Sequence, residues 1–274
     1  MTKISNHINE PNQYKKSNLI FTMDVEDWHH AENISKYVDG AAHSSLPIIH
    51  KVLDLLESKK AKGTFFTLGI LSEENKSLLR EIVNRGHEIA SHGWNHKLID
   101  NMSYQELISD LKNSKDALEQ TSGEKCLGYR SPCFSNNEFL QDALIDAGYS
   151  YSSCRISASF HDRYSNSKKE SKNKRSDILK DFEIPSAKIF GKYFPATGGG
   201  YFRLFPTIMQ KILLSKSNAD PIVFYCHPWD FDDSQPLKSV PRATRWRHSV
   251  GSSSALKKLG KFNFENKTLI DLAE

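Results

Sequence analysis

Apolar runs of strand length alternate along this chain with amphipathic segments of helix length, and this alternation is its strongest structural constraint. Strands are predicted at 18–23, 63–68, 87–90, 127–130 and 222–226, and helices at 45–60, 73–85, 103–120 and 137–147. Ser103 and Glu106 form a Ser-x-x-Glu capping box at the third helix. Gly86 and Gly148 are typical helix stops. Strands separated by helices form parallel βαβ units, so we predict an α/β fold with a parallel sheet, either barrel-like or doubly wound.

The composition fits one large domain. The 274 residues are 38% hydrophobic and 11% aromatic, which is enough to bury a large core. No linker divides the chain, so we predict a single domain over 1–274, with a core at about 18–233 and a C-terminal extension at 234–274.

The charge balance gives little support to a nucleic-acid partner. The net charge is +4 and the isoelectric point is near 8.7. Basic residues are spread along the chain, apart from a Lys/Arg run at 168–175 and an arginine group at 242–247. We therefore predict no nucleic acid among the partners. The oligomeric state does not follow from the sequence.

Cysteine usage and the N-terminus indicate the compartment. Cys126, Cys133, Cys154 and Cys226 have no Cys-x-x-Cys spacing, which is typical of reduced thiols in a cytosolic protein. The polar N-terminus lacks the apolar stretch of a signal peptide, and no run of about 18 apolar residues occurs. We expect a cytoplasmic protein without an integral membrane segment.

Two groups of potential metal ligands stand out. His92 and His96 are four residues apart, a spacing that can bring both imidazoles to one face of a helical turn and onto one metal ion. The first predicted strand ends in Asp24, Glu26 and Asp27. Taken singly, each group is also compatible with a solvated polar surface. Together they supply the nitrogen and oxygen ligands and the spare base of a metal-assisted hydrolase.

The polar signals share one position in the predicted fold. The acidic group 24–27, His92 with His96, Arg130 and His227 each follow an apolar strand. Parallel strands gather the loops at their carboxyl ends on one rim, so we expect these side chains to form one active site.

Two other segments keep alternative interpretations. Residues 161–180 are rich in Ser, Lys, Asn and Asp, which predicts a mobile surface insertion or a phosphate-binding patch. Gly198-Gly199-Gly200, followed by aromatic residues, fits either a tight turn or a loop that a sugar face approaches closely.

Four motifs carry a resemblance to a known family. TMDVED (22–27), SHGWNHK (91–97), YRSPCFS (129–135) and FYCHPWDFD (224–232) occur in this order. The set resembles the polysaccharide deacetylases of the NodB homology type, carbohydrate esterase family 4, from residue 19 to about 233. Two later segments, at 183–206 and 241–259, resemble the subgroup associated with bacterial exopolysaccharide and surface-glycan loci.

The resemblance implies a distorted (β/α) barrel and hydrolysis of an N-acetyl group from a sugar. It also implies a divalent metal, commonly zinc, held by an aspartate and two histidines. Carried over to this chain, Asp24 is the general base, and His92 and His96 are metal ligands. Arg130 orients the base, and His227 is the general acid.

The chain departs from the family pattern at the oxygen ligand. The family has adjacent aspartates, whereas Val25 follows Asp24 here, so the ligand must be Glu26 or Asp27. Strand alternation favours Glu26, but a turn after the strand would bring Asp27 round instead. Relatives that hydrolyse cyclic ureides or imides also carry Asp-x-Glu, and some of them work without metal. Metal dependence therefore stays open.

A second departure concerns the general acid. The resemblance leads us to expect an aspartate between Tyr151 and Ser153, where this chain has Ser152. Without that charge, His227 would be less basic. Asp230 lies close enough in sequence to replace it, although a loop carboxylate that faces water is the simpler expectation for this residue.

The predicted function is that of a hydrolase acting on carbon–nitrogen bonds other than peptide bonds. The expected reaction removes acetate from an N-acetylated sugar or glycan during synthesis or modification of a bacterial surface polysaccharide. The alternatives are a metal-independent cyclic amide hydrolase and a catalytically degenerate glycan-binding module. The sequence does not identify the sugar or its carrier.

Overall fold

The protein is built around one parallel sheet. The computed structural model describes residues 18–38, 43–156, 179–217 and 219–274. Seven strands form the sheet in the order β6-β5-β4-β3-β2-β1-β9, and all neighbours are parallel. These strands are β1 (Leu19–Val25), β2 (Gly63–Thr67), β3 (Glu88–Ser91), β4 (Gly128–Tyr129), β5 (Tyr151–Ser152), β6 (Lys180–Asp181) and β9 (Ile222–Cys226). Within the described residues β6 and β9 are not paired with each other, so the sheet is open.

Along the chain, a separate antiparallel hairpin follows β6 and precedes β9. It consists of β7 (Ser186–Ile189) and β8 (Lys192–Pro195). Most of the predicted insertion at 161–180 lies outside the described residues, so neither interpretation of that segment is tested.

The predicted helices are present; three are shorter than predicted, and the third predicted helix extends two residues further at its C-terminal end. The helices are α1 (Glu32–Ser35), α2 (Ile48–Ser58), α3 (Lys76–Asn84), α4 (Tyr104–Ser122), α5 (Leu140–Asp146), α6 (Gly199–Leu204), α7 (Thr207–Ser215), α8 (Arg242–Ser249), α9 (Ser252–Leu259) and α10 (Ile270–Ala273). Ser103 and Glu106 form the predicted capping box of α4. None of the helices in the described ranges is both long and apolar enough to cross a membrane.

The start of α5 shows how a tertiary contact shortens a helix. The pattern predicts a start at Asn137. In the structure, the side-chain amide of Asn137 donates to the backbone carbonyls of Ile99 (2.8 Å) and Met102 (3.2 Å). Its side-chain oxygen accepts from the amide of Phe139. These bonds hold Asn137 outside the helix, because its side chain is committed to a neighbouring loop.

The sheet has a hydrophobic layer on each face. Phe21, Phe65 and Phe224 belong to the larger cluster, together with residues of α2, α3, α4 and α9. Ile20 and Val223, which alternate with them, belong to a smaller cluster on the other face. Side chains alternate between faces along a strand, so Thr22 and Asp24 lie on the face of Ile20.

The last part of the C-terminal extension, residues 265–274, closes the end of the sheet opposite to the predicted site. The backbone of Glu265 bonds to Leu19 and Lys62, at or next to the beginnings of β1 and β2. The amides of Leu269 and Ile270 donate to the side chains of Thr64 and Glu88. This last part therefore packs against the amino-terminal ends of the central strands.

Candidate active site

The carboxyl edge of the sheet brings the predicted site residues into one cavity. Asp24 and Glu26 come from the end of β1, His92 directly follows β3, and His227 directly follows β9. All four line a cavity of about 630 Å³ together with His96. This volume is in the range of small-molecule sites.

Glu26, His92 and His96 form a cluster that fits a divalent metal. Their ligand atoms lie within 4.8 Å of one another. Glu26 Oε2 is 2.9 Å from His96 Nε2, yet this buried oxygen has no hydrogen-bond partner. Glu26 Oε2 and His96 Nε2 would lie this close if each directed a lone pair at the same bound cation. A carboxylate, two imidazoles and an open position are a typical catalytic zinc set.

A backbone contact sets the tautomer of His92. Its Nδ1 lies 2.9 Å from the carbonyl oxygen of Arg130, so Nδ1 carries the proton and donates. Nε2 is then left with its lone pair toward the cluster. Burial lowers the pKa of His92 and outweighs the charges of Asp24 and Glu26, which favours the neutral form that ligates metals.

The histidine pair does not lie on a helical turn, in contrast to the expectation. Residues 92–98 form an irregular loop in which Gly93 (φ +79°) and His96 (φ +63°) adopt left-handed conformations. The carbonyls of Gly93 and Trp94 accept from the amides of Gly69 and Ile70, which fixes the loop. The left-handed His96 directs its ring back toward Glu26, so backbone reversal replaces helical periodicity.

Asp27 is not part of the cluster. Its Oδ1 accepts from the amides of Trp28 and Ser45, both at 2.9 Å, and it caps the short 3₁₀ helix Trp28–His30. The structure therefore corrects the inclusion of Asp27 in the candidate ligand group, and Glu26 is the carboxylate that lies beside His92 and His96, as strand alternation favours.

The histidines around Glu26, chiefly His96, stabilise its ionised form. Burial alone would raise the pKa of this carboxyl, but His96, His92 and His227 outweigh burial and lower it to about 2. Burial likewise lowers the pKa of His96, but the charge of Glu26 outweighs this effect and the net shift is upward. The cluster thus retains an anionic ligand at neutral pH.

Arg130 holds the carboxylate of Asp24. Arg130 Nη1 donates to Asp24 Oδ1 at 2.6 Å. Asp24 Oδ2 points the other way, 4.0 Å from His92 Nε2 and 3.9 Å from His227 Nε2. One oxygen is therefore anchored, and the other faces the reaction space.

Arg130 is fully buried and held on several sides. Nη1 also donates to Thr22 Oγ1 (3.0 Å), Nη2 donates to Ser153 Oγ (2.9 Å), and Nε donates to the Ser153 carbonyl (3.3 Å). The guanidinium lies 4.0 Å above the ring of Phe66. The planar, multiply bonded group explains why this position suits arginine better than lysine.

His227 is linked to Arg203 through the buried carboxylate of Asp230. His227 Nδ1 lies 3.2 Å from Asp230 Oδ2, and Asp230 Oδ1 accepts from Arg203 Nε at 2.8 Å. The imidazole stacks on Trp229, with ring centroids 4.2 Å apart and an interplanar angle of 9°. These contacts direct Nε2 of His227 into the cavity.

Asp230 is not the solvent-facing carboxylate expected from the sequence. It is 1% exposed. Burial would raise its pKa, but Arg203 and His227 lower it to about 2. Burial would lower the pKa of His227, but the bond to Asp230 and the charges of Asp230, Glu26 and Asp24 raise it instead. Asp230 thus provides the charge that Ser152 lacks.

Ser152 has a different role in the structure. Its hydroxyl donates to Asp181 Oδ1 at 2.7 Å, across the pairing of β5 with β6. The neighbouring Ser153 accepts from Arg130 and donates to the Phe182 carbonyl. Both serines therefore support the sheet edge behind Arg130.

The glycine segment 198–200 is shaped by its protein neighbours. A Cβ atom on Gly199 would lie 1.6 Å from Asp230 Oδ2, and one on Gly198 (φ +109°) would lie 2.7 Å from the Tyr225 ring. Gly200 lines the cavity and has open space in front of it. Gly198 is the N-cap of α6, and Gly199 and Gly200 are its first two residues, so the segment is a helix start and not a tight turn. Of the three glycines, Gly200 leaves open space on the cavity side.

Several cavity residues are not found by the sequence patterns. Arg203, Trp229 and His248 lie in the C-terminal part of the chain and line the cavity. His248 stacks on Trp229. The carbonyl oxygen of His248 accepts a hydrogen bond from Arg203 at 2.6 Å. All three lie in segments that carry the family resemblance, but no residue pattern assigned them a role, and the arginine group at 242–247 contains Arg247 of the cavity wall.

The four cysteines are free thiols. Cys133 lines the cavity, but burial raises the pKa of its thiol to about 12. It is therefore not a thiolate nucleophile at neutral pH.

The sequence is similar to deacetylases of known name. Residues 39–152 match the polysaccharide deacetylase family, and residues 152–269 match a domain of unknown function, DUF3473. Over 99 residues it is 34% identical to a peptidoglycan-N-acetylglucosamine deacetylase of Bacillus cereus, covering 36% of this chain and 46% of that protein. Over 84 residues it is 36% identical to the peptidoglycan-N-acetylglucosamine deacetylase PgdA of Listeria monocytogenes, covering 30% and 17%. The match thus spans less than half of either relative.

Solved structures share the fold over nearly the whole chain. A Mycobacterium smegmatis protein described as a polysaccharide deacetylase is 17% identical with a TM-score of 0.61, covering 97% of this chain and 91% of that one. A family 4 carbohydrate esterase from Streptomyces lividans, in complex with acetate, is 13% identical with a TM-score of 0.51, covering 90% and 87%. These likenesses confirm the predicted distorted (β/α) barrel. The family match over residues 39–152 and the named relatives confirm the predicted resemblance to the polysaccharide deacetylases of the NodB type, carbohydrate esterase family 4.

Proposed function

We propose that this protein hydrolyses the acetamido group of an N-acetylated sugar in a glycan and releases acetate. One observation carries the proposal. A three-residue ligand cluster, an anchored carboxylate and an oriented imidazole meet in a single cavity. These are the parts that metal-assisted amide hydrolysis requires.

Glu26, His92 and His96 are the proposed holders of a divalent ion, for which zinc fits the donor set. When bound, such an ion polarises a carbonyl oxygen and lowers the pKa of a water molecule. The orphaned Glu26 Oε2 and the hydrogen bond of His92 Nδ1 to the Arg130 carbonyl support this assignment.

Asp24 is the proposed general base. Its Oδ2 is directed at the space between His92 and His227, while Arg130 immobilises Oδ1. In the reaction, Asp24 takes a proton from the attacking water as the water oxygen bonds to the amide carbon. The bond from Arg130 keeps the base in position.

His227 is the proposed general acid. The protonated imidazole donates from Nε2 to the sugar nitrogen as the C–N bond breaks, so that the amine leaves neutral and acetate is released. Asp230 holds the opposite ring nitrogen and favours the protonated form. Trp229 stacks on the ring and fixes its plane.

The named relatives support an N-acetylated glycan as the substrate class. They include peptidoglycan deacetylases and the chitin deacetylase 1 of Saccharomyces cerevisiae, which is 30% identical over 78 residues. We propose further that the protein acts in synthesis or modification of a bacterial surface polysaccharide, because segments 183–206 and 241–259 resemble that subgroup.

Acetate release tests the proposal. The full chain is stripped with a chelator, then assayed before and after zinc is restored, on chitin oligosaccharides and N-acetylated peptidoglycan fragments. We expect release only with metal. Asp27→Asn is a matched control, because Asp27 caps a helix beside the cluster without joining it.

Two outcomes would contradict the proposal. Full activity of the metal-free protein on a cyclic ureide, without acetate release from glycans, would identify a cyclic amide hydrolase. Glycan binding without turnover under every metal would identify a degenerate binding module.

A further inference from the structure

An exposed apolar face lies beside the cavity. It comprises six residues of the hairpin, the end of α6 and α7, namely Phe190, Tyr193, Leu204, Ile208, Met209 and Ile212. Phe190 is 101% exposed and Ile208 is 65% exposed. Soluble proteins rarely gather so many large apolar side chains on adjoining elements unless something covers them.

Helix α7 is apolar on both sides. Its inner side buries Gln210, Leu213 and Leu214, as expected of a helix against a core. Its outer side carries Ile208, Met209 and Ile212, where a surface helix normally has polar residues. An isolated monomer gains nothing from exposing them, so this side has the composition of a contact surface.

The hairpin and α7 form one unit. Ala187 of β7 pairs with Ser217 just beyond α7, and the Gln210 amide donates to the carbonyl of Ala196. The hairpin tip consists of Phe190 (φ +48°) and Gly191 (φ +79°). The tip therefore projects a fully exposed aromatic ring from a rigid two-stranded support.

In the segment that carries the face, residues 186–217, all charged residues are positively charged. No Asp or Glu occurs between residues 186 and 217, although the chain has 33 acidic residues. Lys188, Lys192, Lys211 and Lys216 lie in this stretch. Its remaining cation, Arg203, is buried against Asp230. Within this stretch, the exposed charged side chains that the structure describes are all lysines.

We propose that this apolar face binds the surface of an anionic lipid bilayer. Apolar and aromatic side chains that enter the headgroup region, surrounded by lysines that contact lipid phosphates, are the pattern of interfacial membrane binding. Helix α6 runs from Gly200 in the cavity wall to Leu204 in the face, an axial rise of about 6 Å. Membrane contact thus brings the cavity close to the lipid surface. The proposal does not depend on the proposed deacetylase reaction.

Vesicle sedimentation of the full chain tests the proposal. We expect binding to vesicles of phosphatidylglycerol in phosphatidylcholine, weaker binding at high salt, and little binding to pure phosphatidylcholine. The triple variant Phe190→Ser, Ile208→Ser, Ile212→Ser should lower the partition constant by roughly 100-fold or more. Replacing the four lysines with Gln should lower it by at least roughly 10-fold.

Ile70→Ser is the matched control. Ile70 is 47% exposed, as is Leu204, but lies outside the face, so its loss should leave vesicle binding unchanged. The replaced residues are exposed, so the variants should melt with the wild type, and a thermal scan verifies this. Absence of binding to anionic vesicles would overturn the proposal. So would a dimer that the triple variant dissociates in light scattering, because the occupant would then be a second copy of the chain.

Discussion

The two halves of the molecule supply different parts of the site and support them differently. The first half, up to β5, carries the ligand cluster and Asp24 at the ends of paired central strands. The second half carries His227 and its partners on a strand end followed by a short 3₁₀ helix. Strand ends place Glu26 and His92, and a bonded loop places His96. His227 also follows a paired strand, but its ring is oriented by Asp230, which pairs with Arg203, and by stacking on Trp229.

This difference predicts separable losses. A change in the first half should remove the metal or the base without moving His227. A change in the second half should lower turnover while the metal stays bound.

The largest expected effect comes from the ligand cluster. His92→Ala or His96→Ala should remove the bound divalent ion and lower turnover by roughly 10³-fold or more, because the carbonyl loses its electrophilic partner. Elemental analysis and acetate release measure the two effects. Asp27→Asn, in which the cap acceptor is retained, should keep both. If Asp27→Asn alone loses the ion, the ligand assignment is wrong.

The next effect separates base from ligand within the first half. Asp24→Asn should lower turnover by roughly 10²-fold or more while metal content stays nearly intact, since a general base is lost and the cluster is not. Metal content and turnover are measured on the same preparation. Loss of the ion in this variant would make Asp24 a ligand instead.

In the second half, Asp230→Asn should lower turnover by roughly 10-fold or more with metal retained, because His227 loses the charge that favours its protonated form. Asp230→Glu should restore part of kcat. The Asn variant also leaves Arg203 buried without its counter-charge, so kinetics are measured well below its unfolding temperature.

Asp232→Asn provides the structural control for that experiment. Asp232 bonds to Ser45 and Ser234 and does not contact His227. The Asp232→Asn variant should have lower thermal stability than the wild type, with little change in kcat. An equal loss of kcat in both variants would show that Asp230 acts through the fold and not through His227.

The smallest expected effect lies where the C-terminal residues pack against the amino-terminal ends of the strands. Glu88 accepts from Tyr151, Thr64 and the amide of Ile270, and burial raises its pKa above the ordinary value of 4.5. A raised pKa in the folded state means that Glu88 stabilises the fold below about pH 4.5 and loses this contribution as the pH rises through the folded value.

Glu88→Gln should therefore flatten the stability curve above pH 4.5 and leave turnover unchanged. Denaturant unfolding across the pH range measures this. A wild-type stability that instead rises with pH in the same way as the variant's would show that Glu88 is not the titrating group.

Local patterns predicted the elements whose signals lie within a few residues of one another. Strand β9 has the predicted bounds, 222–226, because five apolar residues in a row are typical of a strand buried on both faces. The α4 capping box was predicted for the same reason, since a cap needs only the first turn of its helix. Short strands such as β5 and β6 were not predicted, because each exists only through its partner.

Local patterns likewise predicted some features of the candidate site and left others undecided. Residue type and strand-end position were enough to select Asp24, Glu26, His92, His96, Arg130 and His227, and the structure brings these side chains together. The pattern did not decide between Glu26 and Asp27. That choice depends on Ser45, which is distant in sequence and donates to Asp27.

The sequence by itself determined the parallel α/β fold and the rim where the chemistry lies, because hydrophobic periodicity and strand-end position are local properties of the chain. Only the tertiary structure decided which carboxylates act together. Asp230 became the partner of His227 because Arg203, from a helix 27 positions earlier, compensates its charge in a buried setting. Such pairings depend on distances between segments far apart in the chain, and no spacing within the sequence encodes them.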